Sequence, residues 1–387
     1  ELEGRRTGGY LGLHISMKSE RKIKIIVTGT RGIPDILGGV ETHCEELYPR
    51  LANNKYTVTI VRRSCYITDN IRTDNYKGIS LKDIYAPRKK SLEAIVHTFL
   101  AILYAKKSHA DILHIHAIGP SLLIPFARIL GLKVVMTHHG PDYDRQKWGH
   151  LAKWMLRTGE RMSAKYANEI IVISNVIDNI LRKKYGRNDA HLIFNGVTLP
   201  KKSQSTCYID QLGLTTHKYI LAMGRFVEEK GFDLLIRAFS ALKQNKYKLV
   251  IAGDADHPSA YSENLKRQAL EEHVILTGFI KGEKLNEIMS NAALFILPSF
   301  HEGLPISLLE AMSYDLDVLV SDIPANRLPE LTLDDYFKTG SIPDLKNKLQ
   351  YKIKNIQLDR KYDLSSYNWD NIAEQVDSVY QLILNKK

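Results

Sequence analysis

Apolar residues along this chain gather in short runs separated by longer amphipathic stretches. RKIKIIVTG opens the pattern, followed by glycines and then GVETHCEELYPRL, whose apolar positions recur at helical spacing. YTVTIVRR, ISLKDIY, DILHIH, LKVVMTHH and EIIVIS are further runs with helical stretches between most of them, and HLIFNGV closes the series. Near-continuous apolar runs mark parallel strands buried on both faces, and their alternation with helices predicts a doubly wound α/β sheet. The polar segment TLPKKSQSTCYIDQLG interrupts the pattern and reads as a linker. A second series starts at KYILAMG and continues through the helical GFDLLIRAFSALKQ to YKLVIAG, VILTGF, ALFILPS and DVLVSD. The terminal YNWDNIAEQVDSVYQLILNKK has helical spacing and is expected to pack back across the first half. The fold class is therefore α/β, with two doubly wound domains over 17–200 and 201–366 and a final helix over 367–387. Each domain should bind ligands at the carboxyl ends of its strands.

Length and composition agree with this division. The 387 residues suit two to three domains, and 44% hydrophobic with 25% charged residues is ordinary for a globular chain. Residues 1–16 lack an apolar signal core and are expected to be a non-native leader before Met17. No apolar run is long enough to span a bilayer, since SLLIPFARILGLKVVM is broken by Arg128 and Lys133. Cys44, Cys65 and Cys207 are too far apart to suggest a disulfide framework or a metal site, which fits a reducing cytoplasm. Charge is uneven: residues 17–200 hold 29 Lys and Arg against 16 Asp and Glu, while residues 201–387 hold 23 against 25. The basic half includes PRKKSLEAIVHTFLAILYAKK and RQKWGHLAKWMLRTGERMSAKY, the latter with Trp148 and Trp154. Basic and aromatic residues so mixed suit peripheral contact with the anionic inner face of a cell membrane. No nucleic-acid recognition pattern accompanies them, so nucleic acid is not an expected partner.

The richest chemistry lies in HEGLPISLLE, where Glu302 and Glu310 stand eight residues apart. With a helix from about Leu304, that spacing rises roughly 12 Å at about 1.5 Å per residue. Carboxylates so far apart cannot share a proton, but they can accept hydrogen bonds from hydroxyls at opposite ends of one elongated ligand. Gly303 allows a close backbone approach, Pro305 suits the first helical position, and the free N–H groups of a helix start suit a phosphate. Upstream, GRFVEEKG places Arg225 and Lys230 at a strand end, a fork and a point charge fit for a diphosphate. In GTRGIPDILGGVETH, Gly38 and Gly39 precede a helix start where backbone could approach phosphate or sugar. Four histidines, His114, His116, His138 and His139, sit at two strand ends. They invite a zinc reading, but no Cys or carboxylate stands at ligand spacing beside them, and no metal is expected.

These segments resemble glycosyltransferase family 4, the retaining enzymes of the GT-B fold, from about Lys22 to the C-terminus. LFILPSFHEGLPISLLEAM carries the resemblance, supported by GRFVEEKG, IAGDAD, FNGV and SDIPAN. TGTRGIPDILGGVETH with HHGPDYDRQKWG looks like the bacterial branch that builds surface polysaccharides and includes rhamnosyltransferases. The resemblance implies two Rossmann-like domains facing a cleft, an acceptor side first and a donor side second, and a C-terminal helix crossing back to the first. It implies a sugar moved from a UDP-, GDP- or dTDP-sugar to an acceptor hydroxyl, with no cofactor and no metal. A glycan or lipid-linked saccharide is the expected acceptor. It assigns Glu310 to the ribose hydroxyls and Glu302 to the donor sugar. Arg225 and Lys230 fall to the diphosphate, and the backbone of Gly303, Leu304, Pro305 and Ile306 to sugar or phosphate. The backbone near Phe279 falls to the base, and Gly38 and Gly39 to the phosphates. His139 matches the histidine beside the transferred sugar, with His138 as the fallback and His116 lining the same cleft. EAMSYDLDVLV departs from the pattern, carrying Asp315 and Asp317 where the family usually has Gly and Pro. A nucleotide-sugar epimerase on the same fold and a non-catalytic glycan- or partner-binding protein are the alternatives. A dehydrogenase is disfavoured, because neither half carries GxGxxG with a following acid.

Overall fold

The computed structural model describes residues 21–53, 55–88, 92–144 and 149–386. The expected leader, Met17, Lys89, Lys90 and Trp148 lie outside the described residues. The first half runs β1 (Ile23–Thr28), α1 (Gly39–Leu51), β2 (Tyr56–Arg63), β3 (Asn75–Tyr76), β4 (Ile79–Ile84), α2 (Glu93–Lys107), β5 (Ile112–His116), α3 (Ile124–Ile129), β6 (Val134–His138), α4 (His150–Tyr166), β7 (Glu169–Val172), α5 (Asn175–Tyr185) and β8 (His191–Leu192). Its sheet has the order β3-β4-β2-β1-β5-β6-β7-β8, parallel throughout except where β3 pairs antiparallel with β4. The second half runs α6 (Cys207–Gln211), β9 (Tyr219–Met223), α7 (Phe232–Ser240), β10 (Lys248–Ala252), α8 (Ala260–Glu271), β11 (Ile275–Leu276), α9 (Gly282–Ser290), β12 (Leu294–Leu297), α10 (Ile306–Ser313), β13 (Asp317–Ser321), β14 (Tyr336–Phe337), α11 (Ile342–Lys354) and α12 (Trp369–Asn385). Its parallel sheet has the order β11-β10-β9-β12-β13-β14. This is the GT-B architecture of two Rossmann-like domains.

The strand orders fix where a ligand can go. In each sheet the chain winds outward from its first strand, then returns to the other side of it: from β1 to β5, and from β9 to β12. Such reversal points leave a crevice at the strand carboxyl ends, because neighbouring loops there diverge. β5 and β6 are buried along their whole length, covered by helices on both faces. The terminal helix does cross back. Trp369, Ile372, Val376 and Tyr380 of α12 share one core with Cys44, Leu47, Tyr48 and Leu51 of α1. The two crossings meet where Val197 N–H donates to Tyr367 O at 2.7 Å.

Two local expectations need correction. The expected linker is not wholly irregular: α6 occupies part of it, because Glu287 Oε1 accepts from the Tyr208 and Ile209 N–H groups and Ile209 is buried. Asp315 takes the left-handed conformation (φ 62°) that glycine usually supplies, and its carboxylate accepts from Lys202 at 2.8 Å and Lys361 at 2.5 Å. The turn after α10 therefore keeps its geometry without glycine. Asp317 is buried at the start of β13, paired with Lys352 at 2.6 Å and Arg360 at 3.1 Å.

Candidate active site

The loops after β1, β5 and β6 face those after β9 and β12. Each side presents glycines where backbone must come close. Gly38 caps α1 at φ 155°, and a Cβ there would meet Glu41 Oε2 at 2.1 Å and Arg31 at 2.3 Å. Gly39, the first helical residue, has open space where its Cβ would point, so the start of α1 is accessible. Gly303 lies against the other domain: its Cβ would stand 1.9 Å from the His139 carbonyl oxygen.

Cations on the second side are held by carboxylates. Lys230 Nζ donates to Glu302 Oε1 at 2.6 Å, and Arg225 donates to Asp256 at 3.0 Å. Gly231, left-handed at φ 64°, ends the turn that carries Lys230, and a Cβ there would meet the Pro298 carbonyl at 2.5 Å. Phe300 N–H donates to Glu229 O at 2.8 Å, so the loops bearing Lys230 and Glu302 are joined. Burial alone would raise the Glu302 carboxyl, but Lys230 beside it holds it below the ordinary carboxylate range. Glu310 differs. Burial, with Glu46 of α1 adding repulsion and Lys281 only partly offsetting it, pushes its carboxyl up to about 7. At neutral pH Glu302 is therefore ionised, whereas Glu310 is a mixture of protonated and ionised forms.

The helix between them starts later than its sequence suggests. Pro305 is the residue before α10 (φ −75°, ψ 109°), not its first helical residue, and Ile306 begins the helix. Glu302 therefore stands on the loop, and a single helical rise does not describe its separation from Glu310. Leu304 and Pro305 are buried there, and Leu304 O accepts from Asn195 Nδ2 of the first half at 3.0 Å. Phe279 is exposed, just after Gly278, whose carbonyl accepts from Gly253 N–H at 2.9 Å.

The histidines regroup. His138 turns away from the cleft to share a 3.1 Å hydrogen bond with buried Glu160, which also accepts from Lys184 and Tyr185. It does not serve as the fallback for His139. His114 goes inward, to Tyr380 at 2.6 Å and Thr137 at 2.7 Å. His116 Nδ1 and His139 Nε2 share a 2.8 Å hydrogen bond, and His43 from α1 completes a group of three. Burial lowers the basicity of all three, His43 to about 4, so they are neutral at physiological pH.

Several residues here were not singled out from sequence. Arg31 donates to Glu41 at 3.0 Å within its own half and to Asp256 at 2.5 Å across the cleft. Burial would raise the Glu41 carboxyl, but Arg31 holds it down at about 2. Lys281 reaches Asp35 at 3.1 Å and Glu45 at 3.2 Å. Asn195, inside the FNGV segment, also accepts at its Oδ1 from His43 Nδ1–H, 2.9 Å away. The double glycine before a helix was the available signal for Glu41 and His43, which sit in the first turns that follow. The cross-cleft pairs had none, since each forms only when the domains meet. Together they hold the cleft closed.

Comparison with known proteins agrees with this geometry. Residues 37–200 match the model described as Glycosyltransferase Family 4, and residues 208–369 that described as Glycosyl transferases group 1. An uncharacterized glycosyltransferase of Methanocaldococcus jannaschii is 24% identical over 91% of this chain and 96% of its own. Sucrose-phosphate synthase from Thermosynechococcus elongatus superposes with a TM-score of 0.76 at 20% identity, over 95% of this chain and 100% of that one. Anabaena HepE in complex with UDP and glucose gives 0.74 at 15% identity, over 94% and 100%.

Proposed function

The chain belongs to the family 4 type of glycosyltransferases, and we propose that it moves a sugar from a nucleoside diphosphate sugar to an acceptor hydroxyl with retention at the anomeric carbon. The observation that carries this reading is the pairing of Lys230 with Glu302 and of Arg225 with Asp256, the latter also held by Arg31 from the half that carries the open start of α1 at Gly39. A donor diphosphate would displace Asp256 and share Lys230, gaining two cations and two helix starts. Glu302, kept ionised by Lys230, accepts from donor sugar hydroxyls, and Glu310 accepts from the ribose. His139 lies beside the transferred sugar. In the reaction the anomeric C–O bond to the diphosphate breaks as the bond to the acceptor oxygen forms on the same face. The acceptor proton passes to the departing phosphate, so no protein nucleophile is needed. Cations placed where leaving-group charge grows lower the barrier, and transfer is expected to proceed in EDTA. That UDP and glucose occupy the related Anabaena protein favours a nucleotide sugar here.

The acceptor side faces the basic half. Phe99, Leu103, Ile129, Leu151 and Trp154 are exposed on α2, α3 and α4 among Lys106, Lys107, Arg128 and Lys153. No helix among the described residues is long and apolar enough to cross a membrane. This face suits peripheral contact with anionic lipid and a lipid-linked saccharide acceptor, as in bacterial surface-polysaccharide synthesis. The test of the reaction is proton NMR of the product formed from a panel of UDP-, GDP- and dTDP-sugars. Retained anomeric configuration supports the reading; an inverted product contradicts it.

A further inference from the structure

Three histidines from three elements converge beneath the cleft. His43 comes from α1, His116 from the end of β5 and His139 from the turn after β6. One ring nitrogen from each lies within 4.8 Å of the others. The His43 ring stands edge-on to both partners, with centroids 5.5 Å and 4.9 Å away. Their outer nitrogens are already engaged: His43 Nδ1 with Asn195 Oδ1 at 2.9 Å, and His116 Nε2 with the Tyr48 hydroxyl at 2.5 Å. Those bonds leave His43 Nε2 and His116 Nδ1 directed into the group. His43 is 3% exposed, and its Nε2 has no hydrogen-bond partner. A buried polar atom left unsatisfied is destabilising, and native structures rarely keep one without a use.

We propose that His43, His116 and His139 bind a divalent transition metal ion of the Zn2+ class. Three imidazoles with no carboxylate among them favour Zn2+, Co2+, Ni2+ or Cu2+ over Mg2+ or Ca2+. Tetrahedral Zn–N bonds of about 2.0–2.1 Å place ligand nitrogens about 3.4 Å apart. The 2.8 Å His116–His139 contact must open slightly and separations of up to 4.8 Å close by up to about 1.4 Å, within reach of side-chain rotation. The outer bonds to Asn195 and Tyr48 match the partners that ligating histidines commonly keep, which fix ring orientation. Of the three, His139 is the one that is not fully buried, so the ion enters and keeps its open position on the cleft side. Resting on the proposed reaction, the ion then occupies the His139 nitrogen beside the donor sugar and competes with donor binding.

Calorimetric titration of Zn2+ into the EDTA-treated, dialysed full chain tests the site. One ion per chain is expected, with affinity about 10–100-fold weaker in Asn195→Ala, as for loss of an outer partner, and weaker still in His43→Gln. X-ray absorption on the Zn2+-loaded wild-type chain, which needs no variant to fold, should give three imidazole nitrogens at about 2.0–2.1 Å. Zn2+ should raise the KM for donor in the wild type and not in His43→Gln. An oxygen-dominated first shell, or equal Zn2+ affinity in wild type and His43→Gln, would overturn the site. Three imidazoles on the ion with an unchanged donor KM would overturn its placement on the donor path while leaving the transferase reading intact.

Discussion

Glu310 gives a prediction whose sign and size can both be worked out. Its carboxyl ionises near 7 in the folded chain against an ordinary 4.5, because it is buried and faces Glu46. At about 1.36 kcal/mol per pH unit, ionising it in the native state costs about 3 kcal/mol relative to the unfolded chain. Between pH 4.5 and 7 the native state binds this proton more tightly than the unfolded state does. Its contribution is therefore fully present below pH 4.5 and lost as pH rises through 7. Buried neutral histidines act the other way. His43, lowered to about 4, and His97 and His114, lowered to about 3, make stability rise with pH up to about 6.5. The informative quantity is consequently the difference between wild type and Glu310→Gln, in which the histidine terms cancel. Urea unfolding should find the Gln variant more stable by about 1 kcal/mol at pH 5 and by about 3 kcal/mol at pH 8. The same variant should bind nucleotide about 10–100-fold more weakly at pH 8, through loss of a charged hydrogen bond to ribose, and nearly normally at pH 6. Parallel stability curves across this range would refute the raised carboxyl. Unchanged nucleotide affinity at pH 8 would refute the ribose contact.

Three other perturbations follow from the same geometry. Gly303→Ala puts a methyl 1.9 Å from the His139 carbonyl oxygen; nucleotide affinity should hold while initial-rate assays show transfer falling about 100-fold. Lys230→Met leaves Glu302 without its 2.6 Å partner, and thermal unfolding should register about 2–3 kcal/mol of lost stability, partly restored by adding Glu302→Gln. Asp317→Asn strips a buried carboxylate from Lys352 and Arg360, and denaturant unfolding should show a loss of about 3–5 kcal/mol.

The strands were legible because burial on both faces leaves so plain a trace. YTVTIVRR and GVETHCEELYPRL coincide with β2 and α1 residue for residue. β14, two residues long, carries too little pattern to be read. At the site, residues tied to short motifs were visible: the Lys230–Glu302 pair joins two segments that were each singled out. Arg31, Asp256 and Lys281 were not, since their partners lie 225, 31 and 236 residues away and meet them through folding and closure of the cleft. The start of α10, expected at about Leu304 with Pro305 in the first helical position, falls at Ile306 because proline is at home on either side of a helix boundary. The histidines were grouped by strand ends, whereas the side chains sorted by partner: Glu160 took His138, Tyr380 took His114, and α1 supplied His43.

The central claim is that the second half binds a nucleoside diphosphate sugar between Arg225, Lys230, Glu302 and Glu310. It is tested most directly by calorimetry with UDP-, GDP- and dTDP-sugars on the wild type, Arg225→Ala and Glu310→Ala. One nucleotide class should bind selectively to the wild type, and both variants should lose that binding while remaining folded. Binding that survives in both variants, or a folded wild type that binds none of the donors, would contradict it.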